Sequence, residues 1–326
     1  MIVVSNRNLQ PKHPPLERFG SGFNSKGPDE LRVAKAWKES NSWQVEILPD
    51  TMRGASGKRI TASESVFLET QERARTQGID ILVYVHGFND DFGKMLERCW
   101  QMEQLYGLEI ILFSWPANGR NGSAVSGRVE GLLSYLSDKR DALRSVIAFD
   151  RFLEKLNQHF RKHSEVSQTC NRKISLLVHS MGVYLLKNWL KSSAYQGETS
   201  VFDNIILAAP DVNHEAHAEW VDQIEHRRRL YITINENDVA LMASRMKWGE
   251  RQQTRLGHYA RNLVAKHAVY LDLTRTAHVG VSHTCFVGDP VEQNPHLRRV
   301  FHALFHGDPI EKELQWDLQS GAFLVR

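Results

Sequence analysis

The sequence predicts an α/β fold in which helices cover both faces of a mostly parallel central sheet. Two features of the chain predict it. From Gly78 onward, short apolar runs alternate with longer amphipathic stretches, the rhythm of strands that cross back through helices. Polar or special residues gather just beyond the carboxyl end of nearly every run, where open α/β sheets place their ligands. A length of 326 residues, 41% of them hydrophobic and 24% charged, is enough to fill a globular core.

The reading in order is a single domain over residues 1–326. Its first part, residues 1–77, holds Ile2 to Ser5, Leu31 to Trp37 and Trp43 to Leu48 as short strands between turns rich in Gly, Pro and Asn, an antiparallel edge on the same sheet. Gly54 to Lys58 has glycine spacing too short for a phosphate loop and reads as a turn. The core spans 78–290. Its strands are Ile79 to Val85, Glu109 to Phe113, Ile174 to Val178, Asn204 to Ala208, Leu230 to Ile234 and Ala268 to Leu273. Between the second and third, Leu143, Val146, Ile147, Phe149, Phe152, Leu153, Leu156 and Phe160 recur at threes and fours, which predicts one long helix. Residues 117–131, rich in Gly and Ser and carrying Arg120 and Arg128, follow a strand directly and form a candidate lid loop.

Bulk properties exclude several classes. With 41 basic and 38 acidic residues the formal charge is +3, a balance that gives little reason to expect nucleic acid. The basic run His226 to Arg229 reads as a solvated strand entrance. Three cysteines, Cys99, Cys170 and Cys285, without CxxC spacing argue against a disulfide framework or a structural zinc and fit a reducing compartment. No signal-like segment and no run of 18 apolar residues appears, so the expectation is a cytoplasmic protein with no transmembrane segment.

The sharpest local signal is Val178-His179-Ser180-Met181-Gly182, at the junction of a buried strand and an apolar helix. A serine on such a turn has its hydroxyl raised above the sheet edge, and the next N–H opens a helix, suited to an oxyanion. Val178 stands where the G-x-S-x-G pattern has glycine, which calls for a wider spacing of strand and helix. The alternative is a serine that only caps a helix. His86-Gly87-Phe88-Asn89, after the first core strand, is the place for the second oxyanion donor. A serine nucleophile needs a base, and the base an orienting acid, in the chain order Ser, acid, His. Asp238 follows its strand at the expected place, with Asp211 as the alternative acid; His283 lies past the last strand, with His278 as rival.

These motifs carry a resemblance. HGFN at 86–89, SWPANG at 114–119, Tyr135 with Asp138, HSMG at 179–182, APDVN at 209–213, NENDVAL at 235–241 and the His283 segment resemble a bacterial family of uncharacterised esterase/lipase-type α/β-hydrolases, from about Ile81 to about Phe286. The resemblance implies the α/β-hydrolase fold, Ser180, Asp238 and His283 as catalytic residues, and an oxyanion hole from the backbones of Phe88 and Met181. The family has no defined substrate. The expected activity is cleavage of a carboxylic ester, from a small-molecule or lipid-like substrate, without a cofactor. Thioesterase, amidase or lipase activity and a non-catalytic binding module are alternatives, and the sequence names no protein partner. Trp115 and Phe286 are candidate walls of an acyl pocket. Asp211, His214 and His217, and the pair His302 and His306, do not match a zincin motif, so no metal is expected.

Overall fold

A computed structural model of the chain describes residues 1–54, 57–117, 128–166, 172–245 and 253–326. Strands in chain order are β1 Ile2–Ser5, β2 Arg7–Leu9, β3 Phe19–Phe23, β4 Arg32–Glu39, β5 Ser42–Ile47, β6 Thr51–Arg53, β7 Arg59–Thr61, β8 Asp80–Val85, β9 Leu108–Ser114, β10 Ile174–His179, β11 Asn204–Ala208, β12 Arg229–Ile234, β13 Ala268–Asp272, β14 Gln315–Asp317 and β15 Ala322–Leu324. The helices are α1 Ala62–Gln77, α2 Phe92–Tyr106, α3 Arg128–Arg144, α4 Val146–Val166, α5 Gly182–Leu190, α6 Ala218–Val221, α7 Val239–Arg245, α8 Asp289–Gln293 and α9 Pro295–Phe305. Eleven strands join one sheet in the order β14-β15-β13-β12-β11-β10-β8-β9-β1-β4-β5. This is the α/β-hydrolase arrangement, a mostly parallel sheet between helical layers.

The inner strands are buried at every position because both faces are covered. Their side chains alternate between two cores: Ile111 and Phe113 of β9 join the cluster that holds the α4 and α5 side chains, whereas Ile110 and Leu112 join the one under α2 and α9. On β8, Ile81, Val83 and Val85 face the first cluster and Leu82 and Tyr84 the second. Local signals end the helices where the sequence demands. The Thr61 hydroxyl caps α1 by accepting the Glu64 N–H, and Gly78 closes it at φ 73°, a left-handed conformation that favours glycine.

Two expectations need correction. β1 does not belong to a purely antiparallel edge: it pairs antiparallel with β4 but parallel with β9, Ser5 opposite Ser114. Its carboxyl end therefore lies at the same sheet edge as those of β8 to β13. The predicted single helix through Leu143 to Phe160 is two, broken at Ser145, whose hydroxyl donates to the Asp141 carbonyl at 2.8 Å and accepts the Asn6 amide at 3.1 Å. Leu143 and Ile147, on either side of the break, are exposed instead of packed. The tail adds β15, parallel to β13, and β14, antiparallel to β15. Most of the candidate lid, residues 118–127, lies outside the described residues, as does Cys170. No helix among the described residues is long and apolar enough to cross a membrane.

At the opposite sheet edge His306, at the end of α9, lies 2.7 Å from Asp80 through Nδ1 and 2.8 Å from the Tyr106 carbonyl through Nε2. Burial opposes protonation of His306, but the Asp80 hydrogen bond, the Tyr106 carbonyl and the charges of Asp80 and Asp308 outweigh it and raise its pKa. A raised folded-state pKa stabilises fully below the unfolded histidine value of about 6.5, and that stabilisation is lost as pH rises through the folded value. His306→Gln is therefore expected to destabilise by on the order of 1 kcal/mol more at pH 6 than at pH 9. Thermal midpoints of both proteins at the two pH values check this; an equal loss at both means that the imidazole is neutral in the fold.

Candidate active site

The end of β10 runs straight into α5, and the chain can make that junction only by a sharp turn. Ser180 sits on it at φ 54°, a strained value for a residue with a side chain. The turn is pinned by its own backbone: the Ser180 N–H donates to Ala208 O at 2.9 Å, and the Asp211 N–H donates to Ser180 O at 3.2 Å. Glycine is required at Gly182, where a β-carbon would lie 2.6 Å from the His86 carbonyl oxygen. The approach thus stays close at Gly182, and the branched Val178 is absorbed by the core cluster that also holds Val85 and Val183.

Three residues from distant parts of the chain meet at this turn. The Ser180 hydroxyl donates to His283 Nε2 at 2.8 Å, and His283 Nδ1–H donates to Asp238 Oδ2 at 2.6 Å, the proton positions following from the carboxylate acceptor. Asp238 is fully buried, and its other oxygen accepts the N–H groups of Ala240 and Leu241 at the start of α7. The loop that carries His283 is tied from two sides. The Asn235 amide donates to Gly280 O and Ser282 O, both at 3.1 Å, and His179 Nε2–H donates to His283 O at 3.2 Å. Burial, then the neighbouring His283, hold the His179 pKa well below the ordinary histidine value.

Gly87 brings the other loop against the turn, since a β-carbon there would lie 2.8 Å from Ser180 Cβ. Phe88 follows it and packs edge-on against Tyr135, and Met181, fully buried, precedes α5, where the first N–H groups have no partner inside the helix. The His86 ring is stacked on Trp115 at 5.1 Å between centroids; its Nε2 accepts the Trp115 N–H and its Nδ1–H donates to Gly87 O. Burial first, with the charge of Arg7 second, lowers the His86 pKa to about 3, so the imidazole is neutral and its tautomer fixed at pH 7.

Other candidates lie elsewhere. Asp211 accepts the Ser244 hydroxyl at 2.5 Å and pairs with Arg255 at 3.2 Å, both with buried side chains, whereas the carboxylate bonded to His283 Nδ1 is that of Asp238. His278 is exposed on its loop. Both proposed pocket residues are almost fully buried: Trp115 donates its indole N–H to His86 O, and Phe286 packs on Tyr84, His179 and Phe301 and lines a small cavity with Asp238 and His283. Apolar side chains there support the loops from below. His217 is held by the His214 carbonyl and the Tyr270 hydroxyl, and among the described residues no group of three His, Cys, Asp or Glu is arranged to hold a metal ion. The supporting roles of His86, His179 and Asn235 escaped the sequence reading, although all three stand inside its motifs.

Comparison with known proteins gives no match among curated proteins. A solved structure from Lactobacillus plantarum WCFS1, described as a candidate cell surface hydrolase, is similar over 72% of this chain and 94% of its own, at 11% identity and a TM-score of 0.36. The family model described as an alpha/beta hydrolase of unknown function (DUF900) matches residues 61–289, which contain Ser180, Asp238 and His283, and the chain belongs to that family.

Proposed function

We propose that the protein is a serine hydrolase that cleaves a carboxylic ester, from a small-molecule or lipid-like substrate, through an acyl-enzyme. The observation that carries this reading is the continuous relay Ser180–His283–Asp238, with hydrogen bonds of 2.8 and 2.6 Å, on a strained turn at φ 54°. In the first step Ser180 Oγ bonds to the acyl carbon while its proton passes to His283 Nε2. Asp238 holds the imidazole tautomer and stabilises the imidazolium. The backbone N–H groups of Phe88 and Met181 stabilise the oxyanion. Collapse breaks the ester C–O bond, and the alcohol leaves with the proton from His283. A water molecule, deprotonated by His283, then attacks the acyl carbon; the bond to Ser180 Oγ breaks, His283 returns the proton to that oxygen, and the acid is released. A reducing, cytoplasmic setting is part of the proposal, supported by the free, buried thiols of Cys99 and Cys285.

The test is pre-steady-state hydrolysis of p-nitrophenyl butyrate. A burst of p-nitrophenol stoichiometric with protein, unchanged after exhaustive chelation, is the expected result, since chemistry by this relay requires no metal. Turnover that disappears on chelation and returns with a divalent ion rejects the serine mechanism.

A further inference from the structure

Arg7 is the outstanding polar side chain that the proposed chemistry does not use. It begins β2, directly after β1, and is 1% exposed. Among the described residues its guanidinium hydrogen-bonds only neutral acceptors: Nε donates to Ser114 Oγ at 2.9 Å, one terminal nitrogen to Gly20 O at 3.2 Å and the other to Asp90 O at 2.9 Å. Burial first lowers its pKa to about 10, opposed by the charges of Asp90, Asp138 and Asp91, so it stays cationic at neutral pH. Neither Asp90 nor Asp138 forms an ion pair with it among the described residues. The Asp90 carboxylate is committed to Arg98 at 2.6 Å, and the Asp138 carboxylate accepts the Asn89 N–H at 3.2 Å.

Among the described residues this buried cation has no ion-pair partner, an arrangement that is costly to keep and that hydrogen bonds fixing something specific would justify. What these bonds fix is the loop 86–90. His86 is held at one end by Trp115, Asn89 is held by Asp138 in a left-handed conformation at φ 56°, and Asp90 O is held at the other end by Arg7. Phe88 lies between these anchors. Arg7 also ties the loop to Ser114 at the end of β9, one strand away from β8, so the loop cannot slide along the sheet edge.

We propose that Arg7 is a positioning residue for the oxyanion hole, its guanidinium clamping the Asp90 carbonyl to the ends of β1 and β9 and thereby aiming the Phe88 N–H at the acyl oxygen above Ser180. The inference rests on the reading of Ser180 as nucleophile. A clamp of this kind acts on the transition state, where an oxyanion donor displaced by about 1 Å loses about a hundredfold in rate.

The experiment compares wild type with Arg7→Lys and Arg7→Met in the p-nitrophenyl butyrate burst. Lysine keeps the charge and nearly the volume, but one ammonium cannot span three diverging acceptors. The acylation rate constant and kcat are expected to fall about tenfold in Arg7→Lys and about a hundredfold in Arg7→Met, with KM changed less than threefold. Arg7→Lys is the deciding variant should methionine prevent folding. A folded Arg7→Lys with kcat within threefold of wild type, or one whose loss appears in KM alone, overturns the proposal. Wild type without ester turnover rejects the Ser180 reading instead, whatever the Arg7 variants do.

Discussion

Ser180→Ala is expected to lower turnover of short p-nitrophenyl esters by about 10⁴- to 10⁶-fold, the usual cost of removing the nucleophile from such a relay. The fold should survive. Alanine keeps the β-carbon that packs near Gly87, and the pinning bonds to Ala208 and from Asp211 belong to the backbone. The side-chain bond lost is the one to His283, which keeps its link to Asp238. Rates with p-nitrophenyl butyrate and a thermal melt settle both halves of the statement. A variant that keeps more than a tenth of wild-type activity removes Ser180 as the nucleophile.

The second large effect separates two aspartates that the sequence alone leaves in competition. Asp238→Asn is expected to cost about 10⁴-fold in kcat, because an amide at this place favours the wrong imidazole tautomer. Its effect on stability should be small beside that loss. Asp211→Asn should do the reverse. Asp211 and Arg255 form a buried pair with side chains 4% exposed each, and neutralising the carboxylate weakens a charge-assisted bond, at a cost of about 1.5–3 kcal/mol. Ester turnover by the folded Asp211→Asn fraction should stay within about tenfold of wild type. Denaturant midpoints and kcat on both variants test the pair together. If Asp211→Asn loses the larger part of kcat and Asp238→Asn does not, the roles are exchanged.

The sheet and the candidate site were largely legible because both follow from strong local signals. Each core strand is an apolar run that ends in a polar turn, and the spacing of Ser180, Asp238 and His283 follows from where those turns must lie. The same rule applied to Ile2-Val3-Val4-Ser5 would have directed attention to Asn6 and Arg7. It was missed because strand direction in the first 77 residues depends on pairing with β9, more than a hundred residues away. The break between α3 and α4 was illegible for a related reason: the apolar period continues through Leu143 and Ile147, and Ser145 is an ordinary helix residue until Asn6 reaches it. Trp115 and Phe286 stand beside the candidate catalytic motifs, and both rings are buried, as large aromatic rings that fill the volume beneath a tight turn are. The β14–β15 hairpin is too short, at three residues per strand, to show a period.

The central claim is that Ser180 carries the acyl group during turnover, and the residue acylated in the burst tests it most directly. Acid quenching of the p-nitrophenyl butyrate reaction within the burst, followed by digestion and mass spectrometry, locates the butyryl group. One butyryl group per chain, on Ser180, and none in Ser180→Ala, is the predicted result. A burst whose acyl group resides on another residue, or turnover with no covalent intermediate in protein that is fully active, would contradict it.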